Sequence, residues 1–328
     1  MREKQGRRIP LCEFMFAVPR ILIERNAMNG RLSDFIKTYS TGTDGALSSM
    51  EYEGLFIEAH GSPPDQCILV LSGTSIQLAD IEFFINCLVG EGYSVASIER
   101  DIGGLIDFKT DSKADRKLAL GDFIDHLKRD RGVSNIYIIA QSYAAFEVVR
   151  LLVEAPETYR ASIPAVVFVN PAGFDRQMRY LPHCFRFLFI HVLSGYASAV
   201  AKLVMNRRNA PETRRDFRRK LTAVHSFFIK TVRNPIRTFK EIADIVSFDI
   251  IPYVKLLIEK YGFSFHFVLN GDDNLVSASR TLEWVRRLVP HENVTVFPGN
   301  HLDFFVNERQ IVSFLDTLGM IAVRGRHA

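Results

Sequence analysis

Short, uninterrupted apolar runs alternate with segments of helical period along most of this chain, and that rhythm constrains its fold more than any other feature. The runs at 67–72, 93–98, 136–140, 165–169, 265–269 and 294–297 are short, apolar and bounded by turn residues. A continuous apolar run such as 67–72 or 136–140 marks a strand buried on both faces, and the others read as further strands of the same series. Helix-period segments fall between them, at 79–89 (ended by Gly90), from about 112 to 129, after Ser142, and from about 302 to 318. Strands alternating with helices predict an α/β architecture, a mostly parallel sheet covered on both sides. A further strand at 53–60 precedes the series, and Gly61-Ser62-Pro63-Pro64-Asp65 reads as a turn that sends the chain back antiparallel.

The rhythm stops between residues 175 and 262, where the pattern is helical and rich in Phe, Leu, Ile and Arg. An insertion of that size between two strands reads as a lid over the strand C-termini, where open α/β sheets bind ligands. Residues 38–50 are polar and rich in Gly, Ser and Thr, and read as a linker. The expected division is therefore a basic extension and linker at 1–50, a core made of 51–174 and 263–328, and a lid at 175–262.

Charge follows the same division. Residues 1–31 carry seven Lys/Arg against three Asp/Glu, and residues 175–262 carry 17 against 7, within a chain of net charge +4. The core must then be net acidic, and the two basic segments suit an anionic membrane surface or an acidic partner. Glu13 and Pro19 interrupt the apolar N-terminal run, which argues against a secretory signal. The charge-free run at 187–201 is 15 residues long, too short to span a bilayer. Cys12, Cys67, Cys87 and Cys184 show no C-x-x-C spacing, so a zinc site is not expected. Cys67 and Cys87 read as buried, reduced thiols, which points to a reducing compartment and a cytoplasmic protein, with peripheral membrane contact left to the two basic segments.

Residues at three strand ends stand where chemistry is normally done. Ser142 follows the run at 135–141 and opens an apolar-periodic helix, so its hydroxyl is carried on a strand-to-helix turn. Serine alone is a poor nucleophile and is most often a helix cap; it needs a base, and the base needs an orienting acid. Asp272 and Asp273 come just after the run at 265–269, and His301 just after 294–297. The order Ser, Asp, His belongs to one known triad arrangement.

With those residues in view, the chain from about 51 to 320 resembles an α/β-hydrolase. The resemblance is carried by Ser72-Gly73-Thr74, Ala140-Gln141-Ser142-Tyr143-Ala144, Gly271-Asp272-Asp273-Asn274-Leu275-Val276 and Gly299-Asn300-His301. It implies Ser142 as nucleophile, His301 as general base and Asp273, rather than Asp272, as orienting acid. It also implies an oxyanion hole made by the backbone N–H groups of Thr74 and Tyr143. Two places depart from the family pattern. Ala140 and Ala144 replace glycines of the elbow, and Ser72 replaces a histidine that commonly braces the oxyanion loop.

The implied activity is hydrolysis of a carboxylic ester or thioester through an acyl-enzyme, with no cofactor and no metal. The apolar stretches at 181–205, 227–229 and 250–258 suit a small-molecule substrate with a greasy acyl part. Arg207, Arg208, Arg214, Arg215, Arg218, Arg219 and Lys220 favour an anionic headgroup or surface nearby. An acyltransferase would use the same triad, and a non-catalytic ligand-binding protein would keep the pocket; the sequence leaves both open. Gly103-Gly104 lacks a phosphate-loop pattern, the remaining histidines lack ligand spacing, and no nucleic-acid motif accompanies the arginines, so no nucleic-acid partner is expected.

Overall fold

The computed structural model describes residues 30–32, 53–59, 61–73, 76, 78–99, 113–174, 248–273, 276–301, 303–307, 310–311 and 313–315. The linker, the lid over 175–247 with its arginines, Cys12, Cys184 and Thr74 lie outside the described residues. Within them the strands are β1 (Gly30–Leu32), β2 (Glu53–Ala59), β3 (Gln66–Leu71), β4 (Val95–Glu99), β5 (Asn135–Gln141), β6 (Val166–Val169), β7 (Phe265–Asn270) and β8 (Val294–Phe297). The helices are α1 (Leu78–Gly90), α2 (Lys113–Arg131), α3 (Ala144–Glu154), α4 (Pro156–Arg160), α5 (Ile250–Glu259), α6 (Ala278–Val285) and α7 (Asp303–Val306).

The eight described strands form one sheet in the order β1-β2-β4-β3-β5-β6-β7-β8. From β4 through β8 every neighbouring pair is parallel, while β1 and β2 run antiparallel at one edge. The turn after β2 does reverse the chain, but β3 does not pair with β2. Instead β4 lies between them, antiparallel to β2 and parallel to β3. β1 falls inside the segment read as an extension and is nonetheless the edge strand.

Side chains alternate between two apolar layers, as the pleat requires. On β5, Ile136, Ile138 and Ala140 join one cluster, whereas Tyr137 and Ile139 join the other. β3 and β6 divide in the same way, with Leu69 and Phe168 on one side and Val70 and Val167 on the other. The first layer is closed by α2, α3 and α5, through Phe123, Phe146, Val149 and Val254. The second is closed by α1 and the C-terminal helical residues, where Phe84 meets Phe304 and Phe305 at ring-centroid distances of 5.2 and 5.1 Å. Fully burying one such side chain stabilises the fold by about 1.5–3 kcal/mol, so these two layers hold the sheet. α5 lies in the interval read as lid, and its Ile250, Val254 and Leu257 pack in the first layer beside α3. No helix among the described residues is long and apolar enough to cross a membrane.

Parallel strands point their C-terminal ends the same way. Gly73, Ser142, Asn170, Asp273 and His301 therefore gather along one edge, each just past a strand.

Candidate active site

Ser142 sits between β5 and α3 with φ +54°, a left-handed conformation that non-glycine residues seldom adopt. Such a residue persists only where its surroundings over-determine it. Here its N–H donates to the carbonyl of Val169 at 2.9 Å, and its own carbonyl accepts from Ala172 N–H at 3.2 Å. The end of β6 and the loop after it thus grip the turn from both sides. α3 begins at once, with Tyr143 as its N-cap, and Pro156 at the first helical position of α4 ends the run.

The two off-pattern alanines have a place in this packing. Ala140 and Ala144 are both fully buried in the first apolar layer. Ala140 pairs with Leu71 of β3 and Phe168 of β6, so its methyl fills space that a glycine would leave.

The loop after β3 comes against this turn. Gly73 donates its N–H to Gln141 Oε1 at 2.8 Å. A Cβ at Gly73 would stand 2.6 Å from that oxygen and 2.8 Å from Ser142 Cβ, so only glycine fits. Ser72 is more than a missing histidine. Its hydroxyl donates to the Ile76 carbonyl at 2.9 Å, while Ile76 N–H reaches back to the Gly73 carbonyl at 3.4 Å. The loop that loses one brace has gained another.

Across the sheet, Nδ1 of His301 lies 2.6 Å from Oδ2 of Asp273, and both residues are buried. An ionised carboxylate only accepts hydrogen bonds, so an imidazole paired with one in this geometry donates from Nδ1. The other carboxylate oxygen of Asp273 accepts from Val276 N–H at 3.0 Å. Asp272 points elsewhere and accepts from Gly299 N–H at 3.0 Å. Of the two adjacent aspartates, Asp273 meets the histidine. Further rungs join the same two loops: Gly271 N–H to the Phe297 carbonyl at 2.7 Å, Asp272 N–H to the Gly299 carbonyl at 3.0 Å, and the Asn270 amide to the Asn300 carbonyl. Gly299, at φ +126°, allows the sharp bend that presents His301.

Two polar residues were not singled out in the sequence, Gln141 and Asn170. Each is a buried amide directly next to the end of an apolar strand, Gln141 0% and Asn170 1% exposed. That position was the available signal. Among the described residues no three His, Cys, Asp or Glu side chains converge as metal ligands would.

This arrangement of sheet, elbow and loops is the α/β-hydrolase fold. Solved structures with the same fold include a thermophilic esterase from Thermogutta terrifontis, 14% identical, covering 88% of this chain and 99% of the esterase at a TM-score of 0.56. A bromoperoxidase from Bacillus anthracis is 16% identical, over 83% of this chain and 96% of its own, with a TM-score of 0.59. A membrane phospholipase A described as a bacterial virulence factor is 13% identical, over 92% and 89%, with a TM-score of 0.57. No family model matches the sequence, and no curated protein matches it by sequence.

Proposed function

We propose that the chain is a serine hydrolase that cleaves a carboxylic ester or thioester bearing an apolar acyl group. The observation that carries this reading is the buried 2.6 Å pair of Asp273 and His301 at the ends of β7 and β8, on the same sheet edge as a serine held at φ +54° after β5. Solved structures of this fold that are esterases and a phospholipase support the class of reaction.

Ser142 Oγ attacks the substrate carbonyl while His301 Nε2 takes its proton. Asp273 fixes the imidazole tautomer and stabilises the imidazolium. The carbonyl oxygen becomes an oxyanion, held by the N–H groups of Thr74 and Tyr143, the latter at the positive end of α3. The C–O or C–S bond breaks as His301 returns the proton to the leaving alcohol or thiol. Water, deprotonated by the same imidazole, then attacks the acyl-enzyme and releases the acid with Ser142 restored.

An active-site phosphonate probe tests the reading. The wild type should be labelled on Ser142, and Ser142→Ala should not. Equal labelling of both, or none of either, rejects it. A chain-length series of nitrophenyl esters and acyl thioesters tests the substrate class: rates should rise toward longer acyl chains, and a preference for acetyl would reject an apolar acyl site.

A further inference from the structure

Asn170 follows β6, adopts φ +44° and is almost wholly buried. A buried amide at that point needs a reason, because strand ends in a parallel sheet already have backbone partners. Its backbone N–H is satisfied by the Val268 carbonyl at 2.8 Å. Its side chain bonds in two further directions. Oδ1 accepts from Asn270 N–H at 2.7 Å, and Nδ2 donates to the His301 carbonyl at 3.1 Å.

The site consists of two hydrogen-bonded halves. The acid and base loops are laddered to each other through residues 270–273 and 297–301. Ser142 is instead gripped by the backbone of Val169 and Ala172. Asn170 lies between those two gripping residues, and its amide reaches across to the base loop. We propose that Asn170 is a positioning residue that sets His301 relative to Ser142, a role that rests on the serine-hydrolase reading above.

The residue type follows from this role. One donor and one acceptor are needed on a short, uncharged group, and the backbone must be left-handed. Asparagine supplies all of these and tolerates φ above zero better than most residues. An ionised aspartate keeps the bond from Asn270 but presents oxygen to the His301 carbonyl, which also offers only oxygen. Shape is preserved and the link is lost.

The test compares wild type, Asn170→Asp and Asn170→Ala on a nitrophenyl ester, with phosphonate labelling and thermal melting alongside. A misplacement near 1 Å costs on the order of 100-fold, so kcat should fall about 10- to 100-fold with KM nearly unchanged, in both variants. Labelling should slow in proportion, in samples shown by melting to be folded at the assay temperature. A residue that merely fills space would leave Asn170→Asp at wild-type kcat, and that result overturns the proposal even if Asn170→Ala does not fold. A wild type that fails to label instead rejects the hydrolase reading itself, so the two failures are distinct.

Discussion

The N–H of Gly73 ends on the side chain of Gln141, 2.8 Å away, so the loop after β3 is fastened to the residue that immediately precedes Ser142. The proposed oxyanion donor Thr74 is the next residue in that loop. Gln141→Leu keeps most of the volume and removes the acceptor, leaving a buried N–H unpaired. Stability should fall by about 1–3 kcal/mol, read from urea unfolding. Because the loop is then free to drift, kcat should fall by at least about tenfold, short of the 100- to 1,000-fold seen when an oxyanion donor itself is removed. An unchanged kcat in a destabilised variant would show that the amide only packs.

Gly73→Ala tests the same contact from the other side. Its methyl would meet Gln141 Oε1 at 2.6 Å and Ser142 Cβ at 2.8 Å, and neither neighbour is the free end of an exposed chain. Forcing a group into such packing destabilises by about 1–3 kcal/mol. Phosphonate labelling of Ser142 should slow markedly in the folded fraction, because the displaced atom belongs to the proposed nucleophile's own side chain. Labelling at the wild-type rate would contradict the close approach.

The sheet was legible because its central strands β3, β5, β6 and β7 are buried on both faces, while β8, with Val296 exposed, could be read only from its place in the alternation. 136–140 and 265–269 are apolar at every position or nearly so; β5 is one residue longer than its run at each end, and β7 one residue longer at its C-terminal end only. β2 was legible as a strand but its neighbour was not, since a turn fixes direction and says nothing of which strand slides between. β1 carries only three residues, too few for a period. α6 was missed because residues 278–285 mix Ser, Arg, Thr and Glu among the apolar positions, of which only Ala278 and Val285 are buried. At the site, Ser142, the Asp272-Asp273 pair and His301 stood out as candidates because titratable or nucleophilic groups are conspicuous after apolar strands, and the family resemblance chose Asp273 of the two aspartates. Asn170 and Gln141 gave only the weaker signal of an amide at the end of an apolar run, because an amide has no charge and its worth depends on partners 100 and 68 residues away.

Asp273 and Asp272 are chain neighbours with different partners, and the difference is measurable. Asp273→Asn leaves the shape but allows the wrong imidazole tautomer, which in a triad lowers kcat by about 10,000-fold. Asp272→Asn keeps an oxygen that can accept the exposed bond from Gly299 N–H and loses only its charge, so kcat should stay within about threefold with a stability change below about 1 kcal/mol. Steady-state kinetics on the two variants decide which carboxylate serves the histidine. Equal losses would mean that the pairing in solution is shared.

Restoring the usual glycines at the elbow should harm this chain. Ala144 is the first residue of α3 and Ala140 is paired on both sides within the sheet. Each substitution removes a buried methyl, and glycine in a helix or strand is less favourable than alanine by about 0.5–1 kcal/mol. Ala140→Gly and Ala144→Gly should each lower unfolding free energy by about 1–2 kcal/mol when the lost methyl burial is included. Neither should raise kcat. A gain in kcat would show that the methyls crowd the turn rather than fill it.

Cys67 supplies a test of the core through pH. Burial beneath the first apolar layer pushes its thiol from 9.0 up to about 12. Below pH 9 the thiol is protonated in both folded and unfolded chains. Between pH 9 and 12 the unfolded chain loses the proton while the folded chain keeps it, so rising pH favours unfolding. The contribution is whole below 9 and is gone once pH passes the folded value. Cys67→Ala lacks this linkage and should begin about 1 kcal/mol less stable at pH 8, from the lost sulfur contacts. The gap to wild type should then close by about 1 kcal/mol between pH 9 and 10, as the wild type alone declines. Urea unfolding of both proteins at pH 8, 9 and 10 reads that gap directly. A constant gap would place the thiol in contact with water and contradict its burial on β3.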